Sequence, residues 1–459
     1  MVNIIYIHSH DTGRYIQPYG YAVETPNLQN FAEEGVLFRN AHCAAPTCSP
    51  SRSVLLTGQY AHQNGMLGLA HKGGHLADPS HHLANYLKSQ GYATALSGVQ
   101  HVTGHDVEDI KVTGYDRVLT REEWPAWADH FELWNQWYAK AAVDYLLRVD
   151  KSQPFFLDCG FDLTHRMGKG EQWHTMENPP AGDSRYVRPP SPLPDTPETR
   201  RDFADFRVAV NLLDECIGQL LSAIKVTGLA ENTIVIVTTD HGLASPFMKC
   251  NLTGHGTGVM LMIRGPEGFT GGKVTDSPVS HVDIFPTICD VAGITAPEWL
   301  EGISLLPLIN EGKPVRDAVY SEVNWHGYPE IMRSVRTERY NYIRRFSQFI
   351  PPLGNCDSSV SRTLLANCDW QRRSQSTEEL YDLMFDPNEA CNRAKELGYS
   401  DILNEMRSRL NDWMQKTDDP VISGKVEPWP DAVTRSINED TSSGDWVPAE
   451  TVNILEDIK

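Results

Sequence analysis

The chain has 459 residues, 60 of them Asp or Glu against 40 Lys or Arg, for a net charge of −20 at pH 7. That length suits a large core with a smaller second unit rather than one small domain. The acidic balance excludes nucleic acid as a partner, since phosphate binding needs a dense basic surface. No window reaches the roughly 20 apolar residues that cross a bilayer, so no membrane partner is expected either.

Met1 leads directly into an apolar run over residues 3–7, without the basic flank and long apolar stretch of a secretory leader. This reads as a cytoplasmic chain, or as a periplasmic or secreted one whose leader has been removed. Residues 3–7, 92–96, 155–161 and 233–238 predict buried strands, and helical spacing of apolar residues covers 26–34, 82–89, 137–147 and 203–226. Strands alternating with crossover helices predict an α/β fold, a large mostly parallel or mixed sheet flanked by helices. Residues 177–197, rich in proline and carrying Arg185 and Arg188, predict a long loop walling the substrate pocket. After Gly312 the texture changes: strand-like runs at 318–323, 331–335 and 340–346 precede a helical pattern at 402–415. These predict a smaller C-terminal antiparallel-sheet subdomain over 313–459, behind a catalytic domain over 1–312, with an acidic tail from about Asn438. Nine scattered cysteines do not look like a disulfide framework, and Cys356 and Cys368 could pair.

Open sheets of this kind bind ligands beyond the carboxyl ends of their strands. Asp11 follows the first strand, His101 the second, His165 the third and Asp240 the fourth, which directs four polar groups to one crevice. His10 and Asp11, with Asp240 and His241, supply carboxylate and imidazole donors that converge with Cys48 on a divalent metal ion. Residues 48–58 read Cys-Ser-Pro-Ser-Arg-Ser-Val-Leu-Leu-Thr-Gly. Cys48 opens a predicted helix whose first turn offers free N–H groups, and Arg52 stands one turn on, so an anion there meets two attractive terms.

The stretch resembles the signature CxPSRxxxLTG of the sulfatase family, part of the alkaline phosphatase superfamily, and every fixed letter is present. The resemblance implies that a maturation enzyme converts Cys48 to formylglycine, the nucleophile toward sulfur. It implies calcium as the ion, but His10 and His241 stand where the family usually has aspartate and asparagine, which admits manganese or magnesium. His101 aligns with the base that collapses the sulfo-enzyme, while Val99 occupies the place of a lysine that holds sulfate. His165 matches the group near the leaving atom, and Lys249 the cation that contacts sulfate and leaving group, so that His165 or Lys249 protonates the departing alcohol or amine. Segments such as His62-Gln-Asn-Gly-Met and Met332-Arg-Ser-Val-Arg-Thr resemble the sulfamidase branch, which removes N-linked sulfate from glucosamine. The implied function is hydrolysis of a sulfate ester or sulfamate on a small anionic, carbohydrate substrate. Two alternatives remain open: a phosphonate or phosphate ester hydrolase using the same site, and a non-catalytic binder of sulfated glycans.

Overall fold

The computed structural model describes residues 1–122, 133–167, 172–173, 181–347, 353–424, 426–427, 429–430, 432–435 and 446–448. Eight strands form one mixed sheet: β1 (Asn3–Ser9), β2 (Val36–Phe38), β3 (Ala93–Gly98), β4 (Arg117–Val118), β5 (Phe155–Gly160), β6 (Thr233–Thr239), β7 (Leu261–Arg264) and β8 (Lys273–Thr275). Their spatial order is β8-β2-β7-β6-β1-β5-β3-β4. β1 lies centrally, parallel to β5 and β6, whereas β7 is antiparallel to both its neighbours.

Central parallel strands are buried on both faces, which is why they read as unbroken apolar runs. Their two-residue period still assigns each side chain to a layer. Ile5 and Ile7 pack with Leu28 of α1 (Pro26–Glu34), with Ala142 of α4 (Trp134–Arg148) and with Leu213 and Ile217 of α5 (Pro197–Val226). Ile4 and Tyr6 face Leu55 of α2 (Cys48–Thr57), Leu87 of α3 (Leu83–Ser89) and Phe285 of α6 (Ile284–Ala292). Helix α5 starts six residues before the predicted Phe203. Thr196 caps it, Pro197 occupies its first position, and Thr199 closes a capping box, so its polar opening turn lies outside the apolar periodicity.

Four antiparallel strands form the second sheet in sequential order: β9 (Ala318–Trp325), β10 (Pro329–Thr337), β11 (Tyr340–Arg345) and β12 (Glu378–Asp382). The fourth, β12, was not expected, because three of its five residues, Glu378, Glu379 and Asp382, are charged. Trp413 and Leu410 of a helix spanning Ser400–Lys416 pack with Ile331 and Val335 of this sheet, and the same cluster takes in Val54 of α2. Covered by both sheets, α2 has all ten of its residues buried. Arg185 lies on a short turn, exposed and paired with Asp183, and Arg188 is exposed; residues 177–180 of that predicted loop, and the tail from Asn438 apart from Trp446–Pro448, lie outside the described residues. Cys356 and Cys368 are free thiols, as are the other seven cysteines. Among the described residues no helix is long and apolar enough to cross a membrane.

Candidate active site

The carboxyl ends of β1 and β6 and the first turn of α2 meet in one buried crevice. Beyond β1 the backbone turns through the left-handed region at Asp11 (φ 52°), a conformation aspartate tolerates better than most residues. The turn lets the Asp11 N–H donate to Asp240 Oδ1 at 2.8 Å, and the His241 N–H donates to the same oxygen at 2.9 Å. Asp240 Oδ2 accepts from an Arg52 terminal nitrogen at 3.0 Å. Single donor atoms of His10, Asp11, Cys48 and Asp240 all lie within 4.8 Å of one another. His241 joins them: its Nε2 stands 3.5 Å from Cys48 Sγ, 3.2 Å from Asp11 Oδ1 and 3.6 Å from Asp240 Oδ2.

The protonation pattern shows what this group is built to hold. His241 Nδ1 faces the Gly242 carbonyl at 2.9 Å, so Nδ1 carries a proton and Nε2 is the ring nitrogen turned toward the carboxylates. Asp11 Oδ1 and His10 Nδ1 are buried with no hydrogen-bond partner among the described residues, although His10 Nδ1 is 3.2 Å from Asp240 Oδ2. Acceptors about 3 Å apart, buried and unsatisfied, match the spacing of neighbouring ligands around one cation. The five residues therefore fit a divalent ion, with a carbonyl fixing the His241 ring as a second-layer partner commonly does.

Burial pushes the Cys48 thiol well above its ordinary range, and nearby Asp11 and Asp240 add to the effect against Lys249 and Arg52. A helix N-terminus usually favours a thiolate; here the sulfur stays protonated and is a weak nucleophile. Burial also lifts Asp11 to about 6, despite Lys249 and His241. For Asp240 burial works in the same direction but is outweighed by His241, Arg52 and His10, so its carboxyl falls well below the usual range. Burial opposes the charge on Lys249, yet Asp11 and Asp357 hold it protonated.

Lys249 Nζ lies 3.3 Å from Asp11 Oδ2. His165 Nδ1 faces the Arg166 carbonyl, leaving Nε2 directed at the cluster, 3.9 Å from Asp11 Oδ2. His101 approaches the ring of His10 at 5.6 Å between centroids, and its Nε2 meets His71 Nδ1 at 3.1 Å. His101 and His165, but not Lys249, open onto a cavity of about 490 Å³ whose walls include His10, Val99 and Trp134; Arg185 and Arg188 do not line it either. Arg52 is less accessible than the sequence suggested. Its head is buried and donates to His8 Nδ1, to the Ser9 carbonyl and to Asp240, leaving Nε without a partner among the described residues.

Sequence reasoning missed five further polar residues here. His8 Nε2 bonds Asp158 at 2.8 Å, and Tyr115 donates to the other Asp158 oxygen, so a buried chain runs from Tyr115 to Arg52. A histidine at the end of an apolar strand was a usable signal. Gly160 makes room for it: a Cβ there would stand 2.4 Å from the His8 ring. Asp357 pairs with Lys249 at 3.1 Å, and His326 lies close enough to depress its carboxyl further. Both come from the C-terminal part of the chain, where no local pattern marks them.

Comparison with known proteins finds the family profile described as Sulfatase over residues 2–294 and that described as N-sulphoglucosamine sulphohydrolase, C-terminal, over residues 245–350. The human protein named N-sulphoglucosamine sulphohydrolase is 30% identical over 455 residues, covering 87% of each chain. Among solved structures, a 2-O GAG sulfatase matches with a TM-score of 0.72 at 23% identity, over 98% of this chain and 100% of that one. The phosphonate monoester hydrolase of Agrobacterium radiobacter matches with a TM-score of 0.69 at 19% identity, over 98% and 99%. At these identities the two structures speak for the fold alone.

Proposed function

We infer the mechanism from one premise: this chain belongs to the sulfatase family. It is a hydrolase of sulfate esters or sulfamates, and the proposal is that it acts on a sulfated sugar through a formylglycine made from Cys48 by a maturation enzyme. The observation that carries this is the crowding of metal-ligating groups around Cys48 Sγ, with His241 Nε2 3.5 Å from sulfur and 3.2 Å from Asp11 Oδ1. A protonated, buried thiol is a poor nucleophile there, whereas an aldehyde hydrate supplies a hydroxyl to attack sulfur.

His10, Asp11, Asp240 and His241, with the side chain at position 48, would hold the ion. Bound there, it supplies positive charge to the sulfuryl oxygens and acidifies the nucleophile. Two imidazoles beside two carboxylates form a softer set than the all-oxygen shell calcium prefers, so manganese is favoured over calcium and magnesium. Lys249, held protonated beside Asp11, offsets charge on the transferring group and, with His165, stands ready to give a proton to the leaving oxygen or nitrogen. Arg52 fixes Asp240 through its terminal nitrogen. His101 takes the proton that releases sulfate, in a pocket where Val99 adds no charge.

Phosphonate or phosphate ester hydrolysis is the second reading, favoured by the imidazole-bearing Asp240-His241 pair. Peptide mass spectrometry of residue 48, in protein from a host that matures sulfatases, tests the first step: an unmodified thiol supports a glycan binder instead. Matured enzyme assayed against aryl sulfate, aryl phosphonate and glucosamine N-sulfate should prefer a sulfate or sulfamate, and preference for the phosphonate would overturn the assignment.

A further inference from the structure

The segment around Asp357 is built into the crevice with more care than neutralising one lysine requires. Asn355 Oδ1 accepts from the Gly327 and Tyr328 N–H groups at 3.0 and 2.7 Å, and its amide donates to Glu330 at 3.1 Å. This clamps the segment to the turn between β9 and β10, which carries His326. Two residues beyond Asp357, Ser359 caps the helix Val360–Asn367, and Ser361 donates to Asp202 at 2.5 Å. Asp202 is buried and also takes Arg166 at 2.8 Å, so the segment is tied to the large sheet's side of the crevice as well. Two anchors fix the position of Asp357 before any ligand arrives.

Within that frame two polar atoms are left over. Asp357 Oδ2 stands 3.1 Å from Lys249 Nζ but off hydrogen-bonding geometry, and it has no hydrogen-bond partner among the described residues. His326 Nδ1 is buried and likewise unpartnered. Lys249 separates Asp357 from Asp11, so the carboxylate lies one side chain away from the metal ligands, where substituents next to the scissile bond must sit. A fixed carboxylate accepts hydrogen bonds and repels anions.

We propose that Asp357 and His326 form the subsite for the sugar ring bearing the sulfate, and that it takes a ring offering hydroxyl or N–H donors, a hexosamine or neutral hexose, and rejects a uronate. This rests on the sulfatase reading above. A hydroxyl or amine hydrogen of the ring satisfies Asp357 Oδ2, and an adjacent ring oxygen or hydroxyl meets His326 Nδ1. A uronate carboxylate at the same place faces Asp357 with only Lys249 between them.

The test uses matured full-length enzyme and its Asp357→Asn variant, with glucosamine N-sulfate, an unsaturated hexuronate 2-O-sulfate and an aryl sulfate as substrates. The expected result is a wild type that cleaves the glucosamine substrate in preference to the uronate. In the variant the ratio of kcat/KM for glucosamine N-sulfate to that for aryl sulfate falls about tenfold or more, while the uronate gains relative to both. Parallel loss on both substrates would mean that Asp357 only neutralises Lys249, and overturns the subsite; so does a wild type that prefers the uronate. Inhibition of aryl sulfate hydrolysis by free glucosamine and by free glucuronate provides a check without mutation, with tighter binding of glucuronate again overturning it. A matured wild type that cleaves none of the three substrates would instead overturn the sulfatase reading itself.

Discussion

Two buried charge clusters, one in the crevice and a far one by the second sheet, are finished to different degrees. On the far side, between the short turn Ala61–Asn64 and the second sheet, Arg333 donates to both Asp419 oxygens and to the Val323 and Met332 carbonyls. Glu322 accepts from the His62 backbone and ring and from Asn324, while the second His62 nitrogen faces the Thr417 carbonyl at 3.2 Å. With both ring nitrogens facing acceptors, His62 is an imidazolium, so two cations meet two anions. The crevice holds Asp11, Asp240 and Asp357 against Arg52 and Lys249, with Asp11 Oδ1 and His10 Nδ1 left without a hydrogen-bond partner among the described residues. Burial alone does not distinguish structure from function in this chain. What does is whether the buried polar atoms are satisfied by the protein itself.

The sharpest way to break this comparison is to neutralise one charge in each cluster. Asp11→Asn, at a left-handed position where asparagine is comfortable, should lower kcat/KM by about 10³-fold and abolish the rise in Tm on adding metal, while leaving the Tm of chelator-treated protein unchanged or higher. A fall in metal-free Tm by many degrees would mean that the crevice is as self-satisfied as its counterpart. Arg333→Met should do the reverse. It strands Glu322 and Asp419 without their cation and should cost about 3–5 kcal/mol in denaturant unfolding, with or without metal. The fraction that stays folded should keep its activity.

How legible each cluster was in the sequence follows the same division. Residues 48–58, the Asp and His pairs after the first and fourth strands, and His101 and His165 after the other two could be read because strand ends collect ligands and each group lies beside a recognisable apolar run. The central strands and their helices were legible for the same reason. Asp357 and His326 were not, because they reach the crevice from loops more than 70 residues beyond the nearest predicted site residue, on elements whose placement no local period encodes. His62 and Arg333 were noticed only as parts of segments resembling the sulfamidase branch. Their partners, Glu322 and Asp419, stand in unremarkable stretches, and a buried ion network has no period to announce it.

A smaller effect sharpens the comparison inside the crevice. Tyr115 donates to Asp158, which holds His8, which in turn receives Arg52. Apart from Arg52 Nε this branch is satisfied among the described residues, so it should behave like the far cluster rather than like the metal ligands. Tyr115→Phe should cost about 1–3 kcal/mol, the penalty of leaving a buried carboxylate oxygen unpaired, and should lower kcat less than Asp11→Asn does. A loss of activity as large as that of Asp11→Asn, without loss of stability, would place Tyr115 in the chemistry.

The smallest expected effect is one of pH, and it belongs to the satisfied cluster. Burial opposes protonation of His62, but Glu322 and its hydrogen bond prevail, so the imidazole titrates above 6.5 in the folded chain. Burial likewise opposes ionisation of Glu322, yet His62 and Arg333 bring its carboxyl down to about 2. A raised histidine contributes stability in full below 6.5 and loses it as pH rises through the folded value. A depressed glutamate contributes above 4.5 and loses it as pH falls toward 2. The pair therefore stabilises the fold most between about pH 4.5 and 6.5. In His62→Gln, where an amide replaces one of the two donors, the deficit in stability should be about 1–2 kcal/mol within that window and shrink on its alkaline side. Thermal unfolding of both proteins from pH 4 to 9, each saturated with metal so that the crevice ligands do not titrate, measures the difference directly. A deficit that grows above pH 7 would mean that His62 is held neutral, and that the far cluster, too, carries an unbalanced charge.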